Sequence, residues 1–379
     1  DMGGTSTDVC LVLDGTPAPA AEREVAGLPV RMPALDVHTI GAGGGSIARL
    51  DDGGALLVGP RSAGAVPGPA CYGRGGTEAA VTDADLAAGR IPVGAAFPGL
   101  GELDLDAARS ALDAAGVTAE GVLAVVDAAM EEAIRVVTVE RGVDPRGLAL
   151  VAFGGAGPLH ACALADALGM EVVIVPARAG VLSAVGILGA PMQVDLVRSV
   201  PDPLDHKEAR QRSDDLWHEA RDRLLQQLGA VLVQPEPTVT ELDIPEAGAA
   251  RMSGMSVAAP YWSLPSGEPL PPVQLDATFD CRYAGQSHEL NVRSPLRFHR
   301  EHRLRNGYER KDDPVEVVAV RARAWVESPV RMADLPTPAR AGAVGPAIIA
   351  EPDCTIWVPD GWAAEVGAAG ALLLRRPGP

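Results

Sequence analysis

The chain has 379 residues and a formal net charge of −18. That length supports two or three domains with sizeable cores, while the acidity argues against a nucleic-acid partner, which needs clustered Lys and Arg to neutralise phosphate. No apolar run reaches the ~18 residues of a membrane span, and the first residues lack the basic start and apolar core of a signal peptide.

The chain opens on Asp1-Met2-Gly3-Gly4-Thr5-Ser6-Thr7-Asp8, and an apolar strand, Val9–Leu13, leaves it. Glycines let backbone N–H groups approach an anion, because no Cβ intervenes and positive φ is open to them. Hydroxyls add donors, and a carboxylate holds a divalent cation, which prefers oxygen ligands. The segment therefore reads as a phosphate-and-magnesium turn. Asp1 and Asp8 read as the catalytic acids, with Asp1 taking the metal or its water, and Gly3, Gly4, Thr5 and Thr7 would face phosphate. A β-hairpin turn that merely favours Gly and Asp is the alternative. With no strand ahead of the turn to anchor it, the chain is expected to be cut from something larger. Its overall acidity means that local amides and a metal ion would have to overcome a repulsive field at any ATP site.

After a turn at Asp14-Gly15, strands are expected at Glu22–Ala26 and Leu35–Ile40, giving an antiparallel meander. Gly43, Gly44, Gly45 and Ser46 form a second glycine loop, which could line the same cleft or simply make a bulged strand end. A hairpin follows around Asp51-Asp52-Gly53-Gly54. Residues 59–76 hold too many Gly and Pro for a regular element and read as a long functional or mobile loop. Helices come next: a short one opening at Thr82-Asp83-Ala84-Asp85, then Asp104–Ala115, then Thr118–Arg141 with valines and alanines at helical spacing. A strand Leu148–Phe153 runs into Gly154-Gly155-Ala156-Gly157-Pro158, followed by a helix to Leu168 and a strand Val172–Val175. Strand, glycine turn, helix, strand is the α/β pattern, with its ligand position at the strand's carboxyl end. Gly154, Gly155 and Gly157 suit contact with ribose and phosphate at a helix N-terminus; a structural turn is the other reading.

Beyond residue 200 a charged, exposed helix is expected over Asp205–Gly229, and residues 232–275 read as irregular. Strands return at Ala277–Tyr283, Glu289–Val292 and Val315–Val326. The tail strands Ala347–Ile349, Thr355–Val358 and Ala371–Leu374 read as a small β unit. The domain expectation is 1–200, an α/β half; 201–275, a helix and insertion; and 276–379, a β-rich domain.

Other reactive residue types favour bland roles. Five widely spaced cysteines without a C-x-x-C pair fit a reduced, cytoplasmic protein. Cys71 has only Arg74 nearby in sequence to activate it and reads as a packed residue. His160 and Cys162 would point apart on a helix, and His299 with His302 makes two ligands at most, too few for a zinc site. Asp144-Pro145-Arg146 belongs to the turn after the long helix.

DMGGTSTDV, LDVHTIGAGGGSIARLDDGGALLVGPRSAGAVPGPACYGRGG, VTDADLAAGR, DPRGLALVAFGGAGPLHA, CRYAGQSHEL and GPAIIAEPDCTIWVPDGW together resemble the hydantoinase/oxoprolinase family, in its hydantoinase A type of subunit. The likeness spans nearly the whole chain and is poorest over residues 232–275. It implies an α/β fold of the actin and sugar-kinase superfamily, a mixed sheet flanked by helices, in which two related halves each give one phosphate-binding hairpin. Asp1–Asp8, with the GAGGGS loop and the FGGAGP turn, resembles the second hairpin, and the first is absent. The resemblance further implies ATP and Mg2+ as cofactors, a small cyclic amide such as 5-oxoproline or a hydantoin as substrate, and ring opening through phosphorylation of the carbonyl oxygen. It implies a hydantoinase B-type partner subunit and the N-terminal half of the same subunit as partners. Within the family, a subunit of an acetone or acetophenone carboxylase is the rival. A catalytically incomplete fragment acting in assembly is the alternative of a different class.

Overall fold

The computed structural model describes residues 1–20, 23–25, 28–30, 34–94, 96–97, 99–200, 206–233, 238–241, 253–256, 261–331 and 334–376. The chain forms two compact units, one of Asp1–Leu188 with Arg331–Pro379 and one of Gly189–Val330. This division differs from boundaries at 200 and 275. The C-terminal stretch is no separate β domain, because its strand Leu372–Arg375 pairs antiparallel with Val172–Val175.

In the first unit a five-stranded mixed sheet runs Leu150–Val151, Val172–Val175, Leu372–Arg375, Ala363–Val366, Ala343–Val344. Only its first pair is parallel. Val173, Val175, Leu372 and Leu374 are wholly buried in it, as expected where both faces of a strand are covered. The ends of the unit's helices follow from local chemistry. Asp104 accepts a hydrogen bond from the Ala107 N–H (2.8 Å) to start Leu105–Ala115, and Gly116 stops it at φ 67°. Thr118 caps Ala119–Val137 through the Gly121 N–H. That helix buries Val122, Val126, Met130, Ala133 and Val137 along one stripe. Gly157–Leu168 ends on Gly169 (φ 68°) and packs against Val172–Val175 and Thr355–Val358.

The first forty residues are not a meander. Thr7–Cys10 pairs with Val37–Ile40, and shorter ladders nest inside, with Pro19–Ala20 on Ala34–Leu35 and Arg23–Val25 on Leu28–Val30. The expected strand ends Glu22 and Ala26 lie outside the described residues. The hairpin around residues 51–54 joins Ser46–Leu50 to Leu56–Ser62, so the first part of the 59–76 stretch is strand and a short turn of helix follows at Ala70–Tyr72.

The second unit holds a four-stranded antiparallel sheet in the order Met192–Ser199, Val315–Val326, Gln274–Tyr283, Leu290–Val292. Helix His206–Gln227 packs on it. It is charged, as expected, yet not simply exposed: Ala209, Leu216, Ala220 and Leu224 are buried in the same cluster as Phe279 and Val320. Within 232–275, where no regular structure is expected, Val231–Val233 pairs with Tyr261–Ser263 and Thr238–Glu241 with Ser253–Ser256; the rest of that stretch lies partly outside the described residues. Among the described residues no helix is long and apolar enough to cross a membrane.

Candidate functional site

The opening turn is a tight hairpin. Asp8 N–H donates to Asp1 O and the Asp1 amine to Asp8 O, both at 2.9 Å, while Gly3 N–H closes on Ser6 O at 3.0 Å. Met2 fixes its base: the side chain is buried, its N–H donates to Phe153 O (3.0 Å), and its carbonyl accepts from Ala156 N–H (3.1 Å). The hairpin is thereby tied to the Gly154–Gly157 turn.

The second glycine loop joins the same cluster. Gly44 N–H donates to Gly3 O (3.0 Å) and Gly45 N–H to Gly4 O (2.6 Å). Two backbones this close leave no room for side chains. A Cβ on Gly43 would lie 2.7 Å from Thr5 N, and one on Gly45 would lie 2.8 Å from Gly4 O. Gly154, at φ +84°, has no space either, since its Cβ would meet Met2 O and lie 2.5 Å from Asp1 Oδ1. Residues 43–46 pack backbone to backbone on the hairpin, and their N–H groups are used there, Gly43 N–H by the Ser46 hydroxyl at 2.8 Å. Gly4 and Gly155 differ: a Cβ on either would meet nothing within 4 Å, so both front open space. Gly3 and Gly157 are nearly as free, with nearest atoms at 4.0 and 3.6 Å.

The polar side chains divide likewise. Asp1 is half-buried, and its Oδ2 accepts the Ser183 hydroxyl at 2.6 Å. Asp8 Oδ1 accepts the Thr39 hydroxyl at 2.5 Å. Thr5 is exposed, 3.4 Å from the Ser62 hydroxyl. Thr7, grouped in sequence with the phosphate donors, is buried and gives its proton to Ala42 O at 2.6 Å; it holds the two glycine loops together and does not face the cleft as a donor. Thr82 does similar work from helix Val81–Ala87, where its hydroxyl and its N–H both donate to Gly44 O at 2.8 Å. Ser183, Ser62 and Thr82 lie far from the hairpin in sequence; Ser62 and Thr82 fall inside motifs of the resemblance and Ser183 in none, and sequence reasoning assigned none of the three to the site.

Beneath the loops lies a charged cluster that spacing could not reveal. His160 is wholly buried on helix Gly157–Leu168, with Nδ1 2.7 Å from Asp127 Oδ1 and Nε2 3.5 Å from Asp85 Oδ2. Arg90 approaches the other Asp85 oxygen at 3.8 Å. Burial by itself lowers the His160 pKa, but Asp85 and Asp127 outweigh it and the value rises to about 9. The cluster ties together the three helices that carry residues 81–87, 119–137 and 157–168. Cys71 is a packed residue: it is fully buried beside Asp83, which takes the Cys71 and Ala80 N–H groups, and burial pushes its thiol far up. His299 and His302 turn to Tyr283 and to the Tyr308 carbonyl. Asp144 starts the turn Pro145–Gly147 after the long helix.

The family profile described as hydantoinase/oxoprolinase matches residues 1–195, half of the chain. This chain belongs to the hydantoinase/oxoprolinase family. Among its curated relatives, the caprolactamase subunit alpha of Pseudomonas jessenii is 35% identical over 371 residues, covering 92% of this chain and 48% of that protein. The 5-oxoprolinase 1 of Arabidopsis thaliana is 38% identical over 256 residues, covering 60% of this chain and 20% of that protein. The chain thus spans about half the length, or less, of these relatives. Among solved structures, the ATP-dependent caprolactamase of Pseudomonas jessenii matches over the whole chain and 58% of its own, with TM-score 0.64 and 28% identity. A nucleotide-free acetone carboxylase matches with TM-score 0.73 at 20% identity, again over the whole chain and 58% of its own. The fold is therefore the α/β, actin-like architecture of this family.

Proposed function

We propose that this chain is the ATP-handling part of an ATP-dependent cyclic amidase, which opens a ring such as 5-oxoproline, a hydantoin or a lactam. The observation that carries the reading is the lacing of three glycine segments around one half-buried carboxylate, with Gly4 and Gly155 left fronting open space. A cradle of that kind accepts an anion against backbone N–H groups, which is how phosphate is held at glycine-rich turns and helix N-termini. The residues fit ATP with Mg2+. Gly3, Gly4 and the Thr5 hydroxyl would face the phosphates, and Gly155 and Gly157 would lie on the nucleoside side. Asp1 would hold the cation or its water, since one or two carboxylates with phosphate oxygens suffice for magnesium. When bound, the ion supplies charge neutralisation for the transferring phosphoryl group.

Amide resonance makes a lactam carbonyl a poor electrophile. Transfer of the γ-phosphoryl group to its oxygen, with ADP leaving, weakens that resonance; water adds to the carbon, the ring C–N bond breaks as the nitrogen takes a proton, and a second water hydrolyses the resulting acyl phosphate to the carboxylate and inorganic phosphate. The protein's share in the first step is positioning and electrostatic stabilisation. Asp1, oriented by Ser183, and the rigid amides of the two loops supply that. Asp8, held by Thr39, keeps the hairpin's second strand in place. Water addition and ring opening would involve a hydantoinase B-type subunit, and the first phosphate hairpin would come from an N-terminal half of the same subunit. Five free cysteines, four of them buried, support placing the protein in the reducing cytoplasm.

Relatives at 35% and 38% identity are named a caprolactamase subunit and a 5-oxoprolinase, which favours this reading over a ketone carboxylase, whose support is a fold likeness at 20% identity. The deciding experiment reconstitutes the chain with its N-terminal half and partner subunit and follows ADP release with 5-oxoproline, caprolactam or hydantoin. Ring opening coupled to ADP is expected. ADP release only with acetone or acetophenone plus bicarbonate would transfer the assignment to the carboxylase class, and nucleotide binding without any turnover would leave an assembly role.

A further inference from the structure

Residues 293–305 hold five Arg against one Glu, a net +4, while the rest of the chain carries −22, against −18 for the whole. Three of the five stand on the helix Phe298–Asn306, which the turn Pro295–Arg297 leads into and Gly307 stops at φ 80°. Its inner side is pinned to the Tyr283 cluster. The rings of Phe298 and His302, both buried, lie 4.9 and 5.0 Å from that of Tyr283, and His302 Nδ1 is 2.9 Å from Tyr308 O. On the other side Arg297, Arg300 and Leu304 recur at spacings of three and four, so they share one outward face. All three are exposed, Leu304 to 73%, and Leu296 is exposed to 75%. Arg303 reaches Glu309 at 3.3 Å. Among the described residues no carboxylate pairs with Arg293, Arg297, Arg300 or Arg305. In a chain with 50 Asp and Glu against 32 Lys and Arg, four guanidinium groups in one short stretch are left without a counter-charge.

A guanidinium presents a planar fork that fits a carboxylate, and arginines set among exposed apolar side chains suit a protein interface. Extended phosphate polymers suit this face less, because the charge on the rest of the chain repels them. The chain itself offers a compact acidic counterpart. Within residues 102–120, Glu102, Asp104, Asp106, Asp113 and Glu120 are all exposed, and Arg109 is the single cation. Asp106 and Asp113, seven residues apart, share one face of the helix Leu105–Ala115. Leu50, itself exposed, adjoins that helix, 3.7 Å from where Gly116 would carry a Cβ. We propose that the face carrying Arg297, Arg300 and Leu304 docks on this acidic face of a second copy of the chain. Arg297 and Arg300 pair with Asp106 and Asp113, and Leu296 and Leu304 cover Leu50. Opposite charges in contact act locally, whereas the mutual repulsion of two acidic chains is screened beyond about 8 Å at physiological salt. The two faces are different surfaces, so the contact is heterologous. The Tyr283 cluster gains a task in this arrangement: it holds the docking helix in place before contact, which lowers the ordering cost of association. The inference rests on neither the nucleotide nor the reaction.

The test is sedimentation equilibrium of the full chain at physiological salt, with two charge-reversed variants, Arg297→Glu/Arg300→Glu and Asp106→Lys/Asp113→Lys. All four positions are exposed, so the thermal midpoints are expected to match the wild type. The wild type is expected to associate, and each variant alone to do so at least about tenfold more weakly. A 1:1 mixture of the two variants is expected to recover association, because the unaltered basic face of one meets the unaltered acidic face of the other. A wild type that stays monomeric would overturn the proposal. So would variants that associate as tightly as the wild type, or a mixture that fails to recover. A monomeric wild type that binds phosphatidylglycerol vesicles, or the partner subunit, through Arg297 and Arg300 would overturn it too and give this face to a membrane or to that subunit.

Discussion

The opening hairpin, Asp1–Asp8, and the Tyr283 cluster of the second unit are built on opposite plans. Around the hairpin the contacts are backbone on backbone: glycines at 43, 45 and 154 let three loops touch, and Gly4 and Gly155 leave open space beside them. In the second unit Tyr283 is fully buried, with its hydroxyl 2.9 Å from His299 Nδ1 and accepting the Arg310 N–H at 2.8 Å. Phe298 meets its ring edge-on at 4.9 Å, and Gln286 takes the Tyr283 N–H while donating to Tyr308. Both regions come from long motifs of the same resemblance. One spends its residues on keeping a space open, the other on filling it. Motif length alone does not say which of these two plans a region follows; the space beside Gly4 and Gly155 does.

The sharpest way to break that contrast is Asp1→Ala in a reconstituted enzyme. Turnover is expected to fall on the order of a thousandfold, with an unchanged thermal midpoint, because among the described residues the Ser183 hydroxyl alone donates to this carboxylate. Normal turnover would place phosphate transfer elsewhere. His160→Ala comes next. Removing one member of a buried ion cluster is expected to cost about 3 kcal/mol, read by chemical denaturation.

The same residue gives a pH signature. Its folded pKa of about 9 lies above the unfolded 6.5, so the stabilisation is complete below pH 6.5 and disappears as pH rises through about 9. A thermal midpoint that falls over that window in the wild type, and less so in His160→Gln, is the expected result. Gly43→Ala should destabilise by about 2 kcal/mol and lower nucleotide affinity together, since its new methyl meets backbone atoms at 2.7 Å. Smallest is Tyr283→Phe, expected to cost about 1 kcal/mol for the lost hydroxyl bonds with nucleotide affinity unmoved. A change in affinity there would mean that the packing node acts on the site.

Periodicity and caps located the helices well because both are local: Asp104 and Thr118 stand where their helices start, and Gly116 and Gly169 where two of them stop. Glycine patterning likewise marked all three loops that meet. What local reading could not deliver was partnership. The strand Val172–Val175 was legible, but its neighbour Leu372–Arg375 lies on the far side of a whole inserted unit. Thr7 looked like a donor to ligand because residue type does not say which way a hydroxyl turns. His160 looked idle because Asp85 and Asp127 reach it from other helices.

That long-range pairing also sets a timetable for synthesis. Gly189–Val330 is contiguous, so it can complete its fold as soon as it leaves the ribosome. The first unit must wait for Leu372–Arg375, and until then one edge of Val172–Val175 has no neighbour. Arg340 is held up by the same delay, since its buried guanidinium donates to the Val175 and Gly370 carbonyls and pairs with Glu351. The interval between translating residue 175 and residue 372 is therefore a window in which an apolar strand edge stands open to other nascent chains.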